Sequence, residues 1–283
     1  MAALTQPTSK MLTVNGLRLH YLDWGNASAP PLVCIHGYTS SAQTFNVVAR
    51  HFMGRAHVIA PDVRGHGESA WSPTGAYTYA DQASDLAGVV DQLGLERFTL
   101  IGTSMGGIIA MTYAGAHPAR LAGLVLNDIG PDVETGSSRI TQMVGSRPDD
   151  FATLDDAIKY RCEISPVMVS RSPEDQRETT LGVLRRRDDG RWVWKLDPAY
   201  ITQRLTQGPP KRPNLWPVLE RIPCPTLVVW GTESDVLSET QANHMVKTLP
   251  KGELVAVPGV VHAPHLMEPA ARAALERLLG GTC

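Results

Sequence analysis

A mostly parallel, doubly wound α/β sheet opened by an antiparallel hairpin is the fold class that this 283-residue sequence predicts. Three observations lead there. Six short, nearly unbroken apolar runs have the composition of strands covered on both faces: PLVCIHG (31–37), AHVIAPD (56–62), RFTLIG (97–102), LAGLVLND (121–128), PTLVVWG (225–231) and GELVAVPG (252–259). Helix-period segments alternate with them, clearest over Thr78 to Leu95, where Leu86, Val89, Val90 and Leu93 recur at helical spacing behind a Thr78 cap. Such alternation implies parallel strands joined by crossover helices. Ahead of these, LTV-NG-LRLHYLDW (12–24) sets two alternating segments around Asn15-Gly16, residues that both tolerate positive φ, which predicts a hairpin.

One segment interrupts the alternation. From Ile129 to Arg221 the chain carries Pro- and Arg-rich stretches, three tryptophans (Trp192, Trp194, Trp216) and only patchy helical periodicity. A structureless loop of that length does not suit a compact domain, so a mainly helical insertion capping the strand ends is expected. The organisation read from the sequence is therefore a core in two parts, 1–128 and 222–283, with the cap at 129–221 between them.

The bulk numbers narrow the function. A net charge of −2 gives no field for nucleic acid or anionic lipid, so a small molecule is the expected partner. The start, MAALTQPTSK, lacks the basic and apolar regions of a secretory signal, no long apolar run suggests a membrane span, and a cytoplasmic protein is expected. Cys34, Cys162, Cys224 and Cys283 are scattered without metal-ligand spacing, and no metal or disulfide framework is expected.

GTSMGG (102–107) joins the strand-like RFTLIG to an apolar helix-like stretch. A serine that attacks a carbonyl must be lifted clear of its own backbone, and a sharp strand-to-helix turn with small neighbours does this. Gly102 and Gly106 then stand where strand and helix crowd each other, and Gly107 lets the helix lie close to the sheet. The segment has neither the G-x-G-x-x-G spacing of a dinucleotide loop nor the Lys-Ser/Thr ending of a phosphate loop.

With IHGY (35–38), DVRGHGES (62–69), LVLNDIGP (124–131), WGTESDVL (230–237) and VHAPHLMEP (261–269) in the same order around GTSMGG, the chain resembles the α/β-hydrolase fold superfamily over nearly its full length. The resemblance implies a cofactor-free serine hydrolase of small esters or lactones, with Ser104 as nucleophile. Relatives that use an aspartate nucleophile place Asp where this chain has Ser104.

The same resemblance points to His262, in GVVHAPHL after the last strand, as the base, with His265 as a rival better suited to a helix start. It points to Asp235, in the polar loop GTESD, as the acid. Glu233 and Asp128 are competitors, Asp128 because some relatives supply the acid from the end of that strand; its expected role here is to fix the start of the cap. Backbone N–H groups of Tyr38 and Met105 are expected to hold the oxyanion. His36 and His66 read as structural, Arg185-Arg186-Arg187 as a solvated face or, alternatively, a carboxylate site, and the cap tryptophans and Met168 as pocket lining or local core. A perhydrolase, a carbon–carbon bond hydrolase or a non-enzymatic receptor on this fold stays open beside the esterase reading.

Overall fold

The computed structural model describes residues 6–132 and 142–280. Its main sheet has eight strands: β1 (Thr8–Val14), β2 (Leu17–Asp23), β3 (Pro31–Ile35), β4 (His57–Pro61), β5 (Phe98–Thr103), β6 (Leu121–Asn127), then two late strands described below. The hairpin forms where expected. Asn15 and Gly16 take φ of 51° and 75°, Val14 pairs with Leu17, and β1 and β2 run antiparallel. Two successive positive φ values match the right-handed twist of the flanking strands, which is why Asn-Gly suits this turn.

Between β6 and the next strand of the main sheet lies a three-stranded antiparallel sheet made of β7 (Asp150–Phe151), β8 (Leu184–Arg186) and β9 (Trp192–Trp194), with helices at Leu154–Ile164, Pro173–Val183 and Pro198–Gln207. The helices were expected in this segment and the sheet was not. Strands of two and three residues are too short to show a period-2 pattern in sequence. Phe151, Ala157, Val183 and Leu184 form the small core of this unit, with Trp192 and Trp194 packed against it.

The chain then returns to the main sheet through β10 (Thr226–Gly231) and β11 (Gly252–Val257), giving the order β1-β2-β4-β3-β5-β6-β10-β11. β2 pairs antiparallel with β1 and β4, and every later pairing is parallel. All six apolar runs are strands. Both sheet faces are covered: α2 (Tyr79–Gln92) and α3 (Met105–Ala116) contribute to one buried cluster, and α1 (Asn46–Phe52) with the helix Pro269–Gly280 to the other. Thr78 caps α2 with a reciprocal pair of bonds, its hydroxyl accepting from Asp81 N while the Asp81 carboxylate accepts from Thr78 N. Parallel strands end together, so the loops after β3, β5, β6, β10 and β11 gather on one edge.

Candidate active site

Ser104 closes β5 and precedes α3 with φ 52° and ψ −118°, a conformation that a residue with a Cβ holds only against strain. The surrounding glycines explain how the turn is packed. A Cβ on Gly102 would collide with the Gly106 carbonyl, one on Gly106 with the Ile35 carbonyl, and one on Gly107 with the Ile129 side chain. Backbone meets backbone at the first two positions, so no rotamer change relieves the clash. The glycines let β5, α3 and the end of β3 approach closely enough to hold Ser104 above the sheet.

Ser104 Oγ lies 2.8 Å from His262 Nε2, and His262 Nδ1 lies 2.8 Å from Asp128 Oδ2. A carboxylate only accepts, so Nδ1 carries the proton and Nε2 is left to accept the serine hydroxyl. The Asp128 carboxyl is fully buried and takes two further donors, Gly231 N at 3.1 Å and Ser234 Oγ at 2.6 Å. Ser234 Oγ accepts in turn from Val236 N and Leu237 N. Asn127 Nδ2 donates to Pro264 O at 2.8 Å and ties the histidine loop to the end of β6.

This geometry corrects the expected acid. The carboxyl on His262 is Asp128 from the end of β6, and Asp235 is a half-buried residue of the loop after β10. β6 and β10 are adjacent parallel strands, so either strand end can reach a histidine arriving after β11. Asp128 has φ 57°, a left-handed conformation that Asp adopts more readily than most residues. The GTESD loop contributes its first backbone N–H, that of Gly231, and the Ser234 hydroxyl as donors to the acid rather than the acid itself. Glu233 is exposed. Asp128 therefore does more than fix the start of the insertion.

Met105 is the first residue of α3, and its N–H has no acceptor within the helix. The Gly37-Tyr38 turn lies against the serine: a Cβ on Gly37 would sit 3.3 Å from Ser104 Cβ. His36 braces this turn. Val63 N donates to its Nε2 at 3.0 Å and its Nδ1 donates to Gly37 O at 2.8 Å, and burial lowers its pKa. The Tyr38 ring packs edge-on to Tyr200 at 5.2 Å and under Arg204 at 4.7 Å.

His66 and His265 hold local backbone turns. His66 is buried, its Nδ1 donates to Arg64 O, and burial with the neighbouring His36 pushes its pKa down to about 3. His265 accepts from Met267 N at 3.1 Å, and its own N–H donates to Glu268 just ahead of the last helix. Arg185, Arg186 and Arg187 are exposed, with Arg187 paired to Asp189 and Asp150.

A cavity of about 230 Å³ opens beside Ser104 and His262. Its walls come from the β3 and β5 loops, the histidine loop and the segment after β6. Met168 and Trp194 line it; Trp192 and Trp216 do not, and Trp216 instead stacks on His244. Arg147 and Arg161 also line it, and nothing in their sequence surroundings marked them. Among the described residues no three His, Cys, Asp or Glu side chains are placed to hold a metal ion, and no helix is long and apolar enough to cross a membrane.

The model of the alpha/beta hydrolase fold family matches residues 30–269. A 3-hydroxybutyrate-oligomer hydrolase of Cupriavidus necator is 33% identical over 263 residues, covering 89% of each chain. A Bacillus subtilis protein named for 2-succinyl-6-hydroxy-2,4-cyclohexadiene-1-carboxylate synthase activity is 31% identical, over 93% of this chain and 94% of its own. The crystal structure of an alpha/beta hydrolase from Novosphingobium aromaticivorans superposes with a TM-score of 0.87 at 33% identity, covering 98% of this chain and 99% of that one.

Proposed function

The chain belongs to the alpha/beta hydrolase fold family, and from that premise we propose that it is a serine hydrolase of short carboxylic esters or lactones. The observation that carries this reading is the hydrogen-bonded line from the strained Ser104 through His262 to Asp128. Ser104 Oγ attacks the carbonyl carbon while its proton passes to His262 Nε2, and Asp128 orients and stabilises the imidazolium. The N–H groups of Tyr38 and Met105 receive the oxyanion, each such donor being worth roughly 10²–10³ in rate. Collapse expels the alcohol, which takes the proton from His262 and leaves an acyl group on Ser104. Water deprotonated by His262 then attacks the acyl carbonyl, and the acid is released as the proton returns to Ser104.

The segment 129–221 acts in this reading as a cap that excludes bulk water and sets acyl length. Its small cavity suits a short acyl chain, and the relative named for 3-hydroxybutyrate oligomers makes oligoesters of short hydroxy acids the first substrates to try. The test is acid release from a 3-hydroxybutyrate dimer and from p-nitrophenyl butyrate, with turnover falling at least about 10³-fold in Ser104→Ala. Folded protein that hydrolyses neither ester would sink the esterase reading.

A further inference from the structure

We propose that Arg147 and Arg161 form a carboxylate-binding site in the cavity beside Ser104, so that the preferred acyl group is short and ends in a free carboxylate. The inference rests on the hydrolase reading and names its substrate class. Three arginines line the cavity, Arg147, Arg161 and Arg171, and no Asp or Glu does among the described residues. Arg171 is already neutralised, its Nη1 lying 2.5 Å from Asp175 Oδ2. Among the described residues neither of the other two forms an ion pair; Asp175, itself paired with Arg171, acts on Arg161, and Asp149 on Arg147, only at longer range. Arg161 donates from Nη1 to the neutral Thr180 Oγ1 at 2.8 Å, and Arg147 lies 4.9 Å over the Trp194 ring.

Holding cations together in a partly dry cavity is unfavourable in the free protein. Burial, with the nearby Arg171, pushes the Arg161 pKa down to about 10, and burial lowers that of Arg147. Both groups stay charged at neutral pH, and an incoming anion offsets the cost that each now bears. The rest of the wall is largely apolar, with Phe45, Val144, Ile164 and Leu266, which suits a methylene chain between the scissile carbonyl and the anion. A planar carboxylate matches the guanidinium fork in shape and charge. The exposed Arg185–Arg187 run, the alternative read from sequence, does not line the cavity, and its Arg187 is held in surface ion pairs.

The experiment compares two methyl esters with the same five-carbon acyl chain, monomethyl glutarate and methyl pentanoate, by pH-stat. The quantity read is the ratio of their kcat/KM values. The wild-type ratio is expected to favour the anionic ester by roughly tenfold or more, and to fall by about 10–100-fold in Arg161→Gln and Arg147→Gln, the worth of a charge-assisted hydrogen bond. Arg161→Lys keeps part of the preference. A wild-type ratio at or below one, or a ratio unchanged in both glutamine variants, overturns the proposal. Calorimetric binding of the same two esters to Ser104→Ala separates this outcome from failure of the hydrolase reading, because it needs no turnover. Tighter binding of monomethyl glutarate, lost on adding Arg161→Gln, upholds the site even if no ester is cleaved, and equal binding of both esters refutes it.

Discussion

Replacing Asp128 by Asn changes the electronics of the site while sparing its shape. The Asp128 carboxyl receives three donors, His262 Nδ1 at 2.8 Å, Ser234 Oγ at 2.6 Å and Gly231 N at 3.1 Å. Asn tolerates the left-handed backbone at this position and has the same volume. Its single oxygen goes to Gly231 N, whose backbone cannot turn away, so the NH₂ faces His262. An NH₂ opposite Nδ1 favours the tautomer with the proton on Nε2, and that nitrogen then cannot accept from Ser104. The expected loss in kcat is about 10⁴-fold, or about 5.4 kcal/mol of transition-state stabilisation. Steady-state hydrolysis of p-nitrophenyl butyrate measures it, with circular dichroism confirming the fold. Asp235→Asn, made in parallel, is expected to stay within about tenfold of wild type. A severe loss in Asp235→Asn with Asp128→Asn near wild type would refute the assignment.

Gly106→Ala places a methyl group against the Ile35 carbonyl, and both partners are backbone, so a cost of about 3 kcal/mol or more is expected in chemical unfolding. Gly54→Ala, with nothing within 4 Å of the new atom, is the control and should change stability by less than about 1 kcal/mol. Acid sensitivity follows from His66, held neutral down to about pH 3 when folded against 6.5 for the free side chain. Between those values the unfolded chain binds a proton that the folded one refuses, so stability is greatest above pH 6.5. It falls as pH drops through the window, by about 1.4 kcal/mol per pH unit for one such group. Urea unfolding at pH 7, 6 and 5 reads the slope, His66→Gln should flatten it, and a wild-type slope of zero would contradict the burial argument.

The strands were legible because parallel strands buried on both faces leave unbroken apolar runs, and the Asn15-Gly16 turn because its φ values admit few residues. Ser104 was legible for a related reason: each glycine beside it answers a specific backbone collision. The acid was not. Asp128 and Asp235 both follow apolar strands, and only the side-by-side placement of β6 and β10 decides which one meets His262. Arg147 and Arg161 were equally hidden, since they are ordinary surface-type residues in sequence and become pocket residues only when distant segments close over Ser104.

The central claim is tested most directly by treating the protein with a fluorophosphonate and mapping the adduct by mass spectrometry. The account predicts one stoichiometric adduct, on the peptide containing Ser104, that disappears in Ser104→Ala and forms far more slowly in His262→Ala. An adduct that persists in Ser104→Ala, or folded wild-type protein that takes no label, would contradict it.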